Sequence, residues 1–106
     1  MIDNQKALSP EHEKLRSAFA TMRAVSHPLR LKIIQLIDNN AEMKVRDIYS
    51  LLSIEQALVS QQLRILRLAE VVHSRRSQKF IFYRLNYDKL ALVAHNAPLL
   101  AVLVQQ

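Results

Sequence analysis

Between Glu55 and Arg67 the chain sets side chains that can read or hold a nucleic acid at helical spacing. Gln56, Ser60, Arg64 and Arg67 share one stripe, with Ala57 and Gln61 beside it. Glutamine pairs bidentately with adenine, and serine can serve several bases. Arg64 and Arg67 suit phosphates better than bases, because backbone contacts generally outnumber base contacts. A little further on, Arg75, Arg76 and Lys79 place three cations within five residues. At a hairpin tip they could enter a minor groove or follow its phosphates. Alone, a polar stripe is usually a solvated helix face, and a charged tip is often merely soluble. Side by side they make double-stranded DNA the leading partner.

Other chemistry is poorly supplied. There is no cysteine, no glycine-rich phosphate loop, and no Ser/His/acid set at informative spacing, so no catalytic residue is assigned. His12, His27, His73 and His95 lie far apart and form no metal-ligand motif. His12, between Glu11 and Glu13, would join His95 only if the first and last helices met across a dimer. No metal and no cofactor is expected.

These residues need a scaffold, and 106 residues suffice for one domain or one protomer of an obligate oligomer. Half the composition is apolar, and glycine is absent. The net charge of +6 is concentrated: residues 44–85 hold eight Lys/Arg against three Asp/Glu. Concentrated positive charge points to a polyanion. No signal-peptide core and no membrane-length apolar run is visible, so a cytoplasmic protein without membrane contact is expected.

Residues 1–10 read as a flexible N-terminus, and 11–106 as a single domain. From Glu11 a helix carries Leu15, Phe19 (or Ala18) and Met22 at one-turn spacing. Ser26-His27-Pro28 breaks it and starts a second helix, with Leu29, Ile33, Leu36 and Ile37 inward and Arg30 and Lys32 in solvent. Met43 to Val45 suggests a short edge strand. Arg46 to Leu52 suggests a short helix with Ile48, Leu51 and Leu52 inward. Ser53-Ile54-Glu55-Gln56 has the form of a capping box for the next helix, whose Val59, Leu63 and Leu66 face inward. Residues 71–85 read as a hairpin whose second strand alternates Phe80, Phe82 and Arg84 with Ile81, Tyr83 and Leu85. Asn86 can cap a last helix, which Pro98 should kink or interrupt. That helix is apolar nearly all round, and a second protomer is the simplest cover.

In order, Ala24-Val25-Ser26-His27-Pro28-Leu29-Arg30-Leu31, Leu58-Val59-Ser60-Gln61-Gln62-Leu63-Arg64-Ile65-Leu66 and Val72-His73-Ser74-Arg75-Arg76 followed by Phe82-Tyr83-Arg84-Leu85 resemble the ArsR/SmtB family. The resemblance covers about residues 15–95. It implies a mainly α winged helix-turn-helix with a small β-hairpin, homodimeric through its first and last helices. It also implies a repressor that binds an inverted-repeat operator and leaves DNA when an inducer binds. The expected interface residues are Leu15, Phe19, Met22, Leu92, Leu99, Leu100 and Leu103.

Departures from that family are informative. Lys44 and Arg46 stand where its metal sensors often carry a Cys-x-Cys pair, and Tyr87 and Lys89 where zinc sensors begin an Asp-x-His set. What relieves repression therefore stays open between an organic ligand, a partner protein and no inducer at all. Glu70, and Ser77 or Gln78, replace the family's glycines before the wing and at its tip. Two alternatives are a winged-helix protein-interaction module with weak, non-specific DNA binding, and a non-specific architectural DNA binder.

Overall fold

In the computed structural model, residues 9–104 are described, with side-chain surroundings through residue 95. The elements are α1 (Pro10–Val25), α2 (Pro28–Asn40), β1 (Glu42–Lys44), α3 (Val45–Leu52), α4 (Gln56–Leu68), β2 (Val72–Ser77), β3 (Phe80–Leu85) and α5 (Tyr87–Val104). The three strands form one antiparallel sheet in the order β1-β3-β2. This is a winged helix-turn-helix, with α3 and α4 as its helix pair and β2–β3 as its wing. The expected flexible stretch lies almost wholly outside the described residues.

Local chemistry starts the helices. Ser9 accepts the His12 amide at 3.2 Å ahead of Pro10, so α1 has a capped start with a proline in its first turn. His27 does the same for α2, its Nδ1 accepting from the Leu29 amide at 3.2 Å. Asn86 caps α5 through the Lys89 amide, at 3.3 Å.

Packing then orients them. Ile33 and Ile37 of α2, Ile48 of α3, Val59, Leu63 and Leu66 of α4, and Val71 are all fully buried. Met43, Val72 and Leu85 extend this cluster into the sheet. Because α4 spends Val59, Leu63 and Leu66 on the core, its opposite face is free for solvent or a ligand. Outside the core, α1 packs along α5.

Three expectations need correction. Ser53 does not cap α4; it ends α3 at φ 55, ψ 46. The Ser53 amide donates to the Ser50 carbonyl at 3.3 Å and the Ile54 amide to Tyr49 at 3.1 Å, which is a Schellman ending. The N-cap of α4 is Glu55, with no side-chain bond. Leu51 is 63% exposed rather than inward. The inward stripe of α3 is Val45, Ile48, Tyr49 and Leu52, which leaves Leu51 about 100° round the helix. Arg30 is half-buried and bonded rather than free in solvent. Of the two outcomes open for Pro98, a kink or an interruption, the second does not occur: α5 runs as one helix to Val104.

Residues with a Cβ fill the positions where glycine is usual. Ala41, Ser53, Glu70 and Gln78 all have positive φ, between 55° and 66°. Such sparsely populated conformations cost about 1–3 kcal/mol each for a residue with a Cβ. Glu70 ends α4 with a second Schellman pattern, its amide donating to Arg67 at 3.0 Å and that of Val71 to Leu66 at 2.8 Å. At the wing tip it is Gln78 that takes positive φ, as the first turn residue of a two-residue hairpin loop must.

Candidate nucleic-acid interface

The six candidate residues on α4 (Gln56, Ala57, Ser60, Gln61, Arg64 and Arg67) are all exposed. They occupy the side away from Val59, Leu63 and Leu66, with the glutamines and serine toward the N-terminal end and the arginines toward the C-terminal end. A helix entering a groove by its N-terminal half would present amides and a hydroxyl to base edges and guanidiniums to the flanking backbone.

Between α4 and the wing lies an open groove of about 310 Å³. Gln56 and Ser60 line one side; Lys79, Phe80, Ile81 and Tyr83 line the other. Lys44, Val45, Arg46 and Tyr49 complete it. Its lining therefore contains three cations and no carboxylate. In the sequence, Lys44 and Arg46 stand out only as poor metal ligands. Their part in the groove follows from β1 and α3 sitting beside β3, which composition alone could not reveal.

The wing separates its two arginines. Arg75 pairs with Phe82 across the hairpin and Arg76 with Ile81, and neighbours along a strand point to opposite faces. Arg76 thus shares a face with the groove-lining Ile81 and Tyr83. It also donates to the Gln78 carbonyl at 3.3 Å, bracing the turn. Arg75 is held on the other face: Nε and Nη2 donate to the two carboxylate oxygens of Glu42 at 2.8 and 2.7 Å. Its guanidinium also lies 4.6 Å from the centre of the Phe82 ring. Lys44 and Lys79 both lie over Phe80, at 4.5 and 5.5 Å. Such contacts orient long side chains without neutralising them.

Hydrogen bonds from Arg75, with the nearby charges of Arg75 and Arg84, hold the Glu42 carboxyl below its ordinary value. A depressed carboxylate pKa means the pair persists above the ordinary glutamate range and is lost as pH falls through the lowered value. The Glu42 side-chain carbon signal should accordingly titrate at lower pH than in an Arg75→Ala variant. Identical midpoints in the two proteins would mean that Arg75 does not hold Glu42 in solution.

Residues 27–74 match the bacterial regulatory protein, arsR family. The chain is 39% identical over 83 residues to the biofilm growth-associated repressor of Agrobacterium fabrum, covering 77% of this chain and 70% of that protein. It belongs to the ArsR family. The HTH-type transcriptional repressor SmtB of Mycobacterium tuberculosis is 34% identical over 88 residues, 83% of this chain and 64% of that protein. The solved structure of the transcriptional repressor BigR from Xylella fastidiosa matches with a TM-score of 0.65 and 27% identity, over 89% of this chain and 96% of that one.

In this ArsR-family chain the positions aligned with metal ligands do other work. Lys44 and Arg46 line the basic groove. Tyr87 donates to Asp38 at 2.5 Å, and that bond raises the phenol pKa. Lys89 donates to Ser17 Oγ at 2.8 Å and lies 3.5 Å from the Glu70 carboxylate. Cations and a hydrogen-bonded phenol do not fit a metal. Among the described residues no group of three or more His, Cys, Asp or Glu side chains is placed to hold one. His12 instead lies 3.0 Å from Ser9 Oγ at the start of α1. Among the same residues no helix is long and apolar enough to cross a membrane.

Proposed function

We propose that this ArsR-family chain is a sequence-specific, DNA-binding transcriptional repressor, acting as a homodimer on an inverted-repeat operator. The observation that carries this reading is the exposed α4 face opening onto a groove lined by cations and no carboxylate. Gln56, Ala57, Ser60 and Gln61 meet base edges in the major groove. Arg64, Arg67, Arg76, Lys79, Lys44 and Arg46 meet phosphates or the neighbouring minor groove. Arg75 joins them less directly, since Glu42 already engages it. Bound over a promoter, the protein excludes polymerase, and it works in the cytoplasm with the chromosome. It is not an enzyme.

The dimer is assigned to α1 and α5. Leu15, Phe19, Met22 and Leu92 are half-buried within one chain and gain cover from a second. Leu99, Leu100 and Leu103 belong to the same proposed interface, and their side chains lie outside the described residues. Relief of repression is left to an organic ligand, a partner protein or no inducer at all.

The test is fluorescence anisotropy with DNA from upstream of the protein's own gene beside a scrambled duplex, across a salt series. A preference of roughly a thousandfold with a steep salt slope is expected. Gln61→Ala should weaken the specific duplex by about 1–3 kcal/mol and relax one operator position. Arg76→Ala should weaken both duplexes and reduce the salt slope by about one. Weak, equal binding to both duplexes would sink the repressor reading in favour of an interaction module.

A further inference from the structure

Gln62 is only 7% exposed, although it carries an amide on the helix proposed to read DNA. Its Oε1 accepts from Arg30 Nη1 at 2.9 Å. The same guanidinium donates Nε–H to the carbonyl of Ala24, in the last turn of α1. One side chain on α2 therefore ties the end of α1 to the buried side of α4.

Packing does not require this pair. Replacing both members of a buried polar pair by apolar groups of similar shape is often nearly neutral for stability, although here the Ala24 carbonyl would also lose its donor. What the bonds add is direction. Val59, Leu63 and Leu66 hold α4 by apolar burial, which is non-directional. Side-chain tips lie about 5–6 Å from a helix axis, so a rotation of about ten degrees carries a tip about 1 Å. Hydrogen bonds to a base edge survive displacements of only a few tenths of an Å. Gln61 directly precedes Gln62, about 100° round the helix, so a bond that fixes one bearing fixes the other.

We infer that Arg30 and Gln62 are positioning residues for base reading: their bond sets the rotation of α4 and keys it to α1. This rests on the reading of α4 as the DNA-contacting helix. The pair adds little to affinity for arbitrary DNA, and its effect is confined to discrimination between sequences.

The experiment uses the duplex that the parent protein enriches from a randomised library, beside a scrambled duplex of equal composition. Gln62→Met should lose about tenfold or more of the preference for the enriched duplex. Its binding to the scrambled duplex should stay within about twofold, because no charge has changed. Arg30→Met/Gln62→Met should melt somewhat below the parent, because the Ala24 carbonyl loses its donor, yet stay folded and fail to discriminate. Gln62→Glu keeps an acceptor for Arg30 and should recover most of the preference, which a merely space-filling role would not predict. A double variant that discriminates like the parent would overturn the inference. So would a Gln62→Glu variant as indiscriminate as Gln62→Met, even if the apolar variants fail to fold. A parent protein that enriches no sequence would remove the DNA reading itself, and this inference with it. Normal discrimination by a folded Gln62→Met would remove only the inference.

Discussion

A Leu15→Glu variant is expected to sediment as a folded monomer and to bind its operator roughly a thousandfold more weakly than the parent, or worse. Leu15 is half-buried on α1, one turn from Phe19 and two from Met22, on a helix that packs along α5. A carboxylate there is tolerated by a solvated surface and rejected by an apolar interface, where an unpaired charge is costly to bury. A monomer reaches one half-site and keeps about half the phosphate contacts, so it loses both base readout and counterion release. Sedimentation equilibrium reports the mass, and anisotropy reports the affinity. A persistent dimer with parental affinity would move the interface away from this face of α1.

The second large effect is on stability. Leu66→Ala should cost about 2–5 kcal/mol, the usual range for emptying a fully buried leucine site. That is a large part of the total expected of a small domain. Leu66 is 0% exposed, and its carbonyl accepts the Val71 amide that closes the helix end. The melting temperature should fall by roughly 10 °C or more. Leu68, two residues on and 65% exposed, supplies the control: Leu68→Ala should stay within about 0.5 kcal/mol of the parent. Equal losses in urea melts would mean that α4 docks by another face.

The contrast between Leu66 and Leu68 also shows where sequence reasoning works. Val59, Leu63 and Leu66 repeat at helical period, so the buried side of α4 was legible, and with it the exposed side bearing the candidate contacts. The hairpin was legible because strand alternation is interrupted by a run of polar, charged residues. Groups with two competing roles were not. Ser53 has the chemistry of an N-cap, yet the backbone needed a left-handed residue there to end α3, and that need won. Arg30 reads as solvated because a charge usually is, but its long stem lets the guanidinium reach Ala24 and Gln62. Gln62 was lost among its exposed neighbours Gln61 and Ser60, since polarity alone cannot say which way an amide points. Arg75 and Arg76 are adjacent and identical in type; strand alternation sends them to opposite faces, and only Arg75 meets Glu42 on β1. Pro98 removes one backbone donor, and α5 continues around that loss.

The start of α5 is fastened to the rest of the fold at three places: Asn86 to the Glu70 carbonyl at 2.9 Å, Tyr87 to Asp38, and Lys89 to Ser17 and Glu70. Each of these contacts favours the resting arrangement, and because most lie at the surface each is weakened by solvent. An effector that acts by displacing α5 has to overcome that bias. It must bind the displaced form more tightly than the resting one by at least the free energy of those contacts before half the molecules respond. A molecule that merely fits the surface, however tightly, would leave the protein on its DNA.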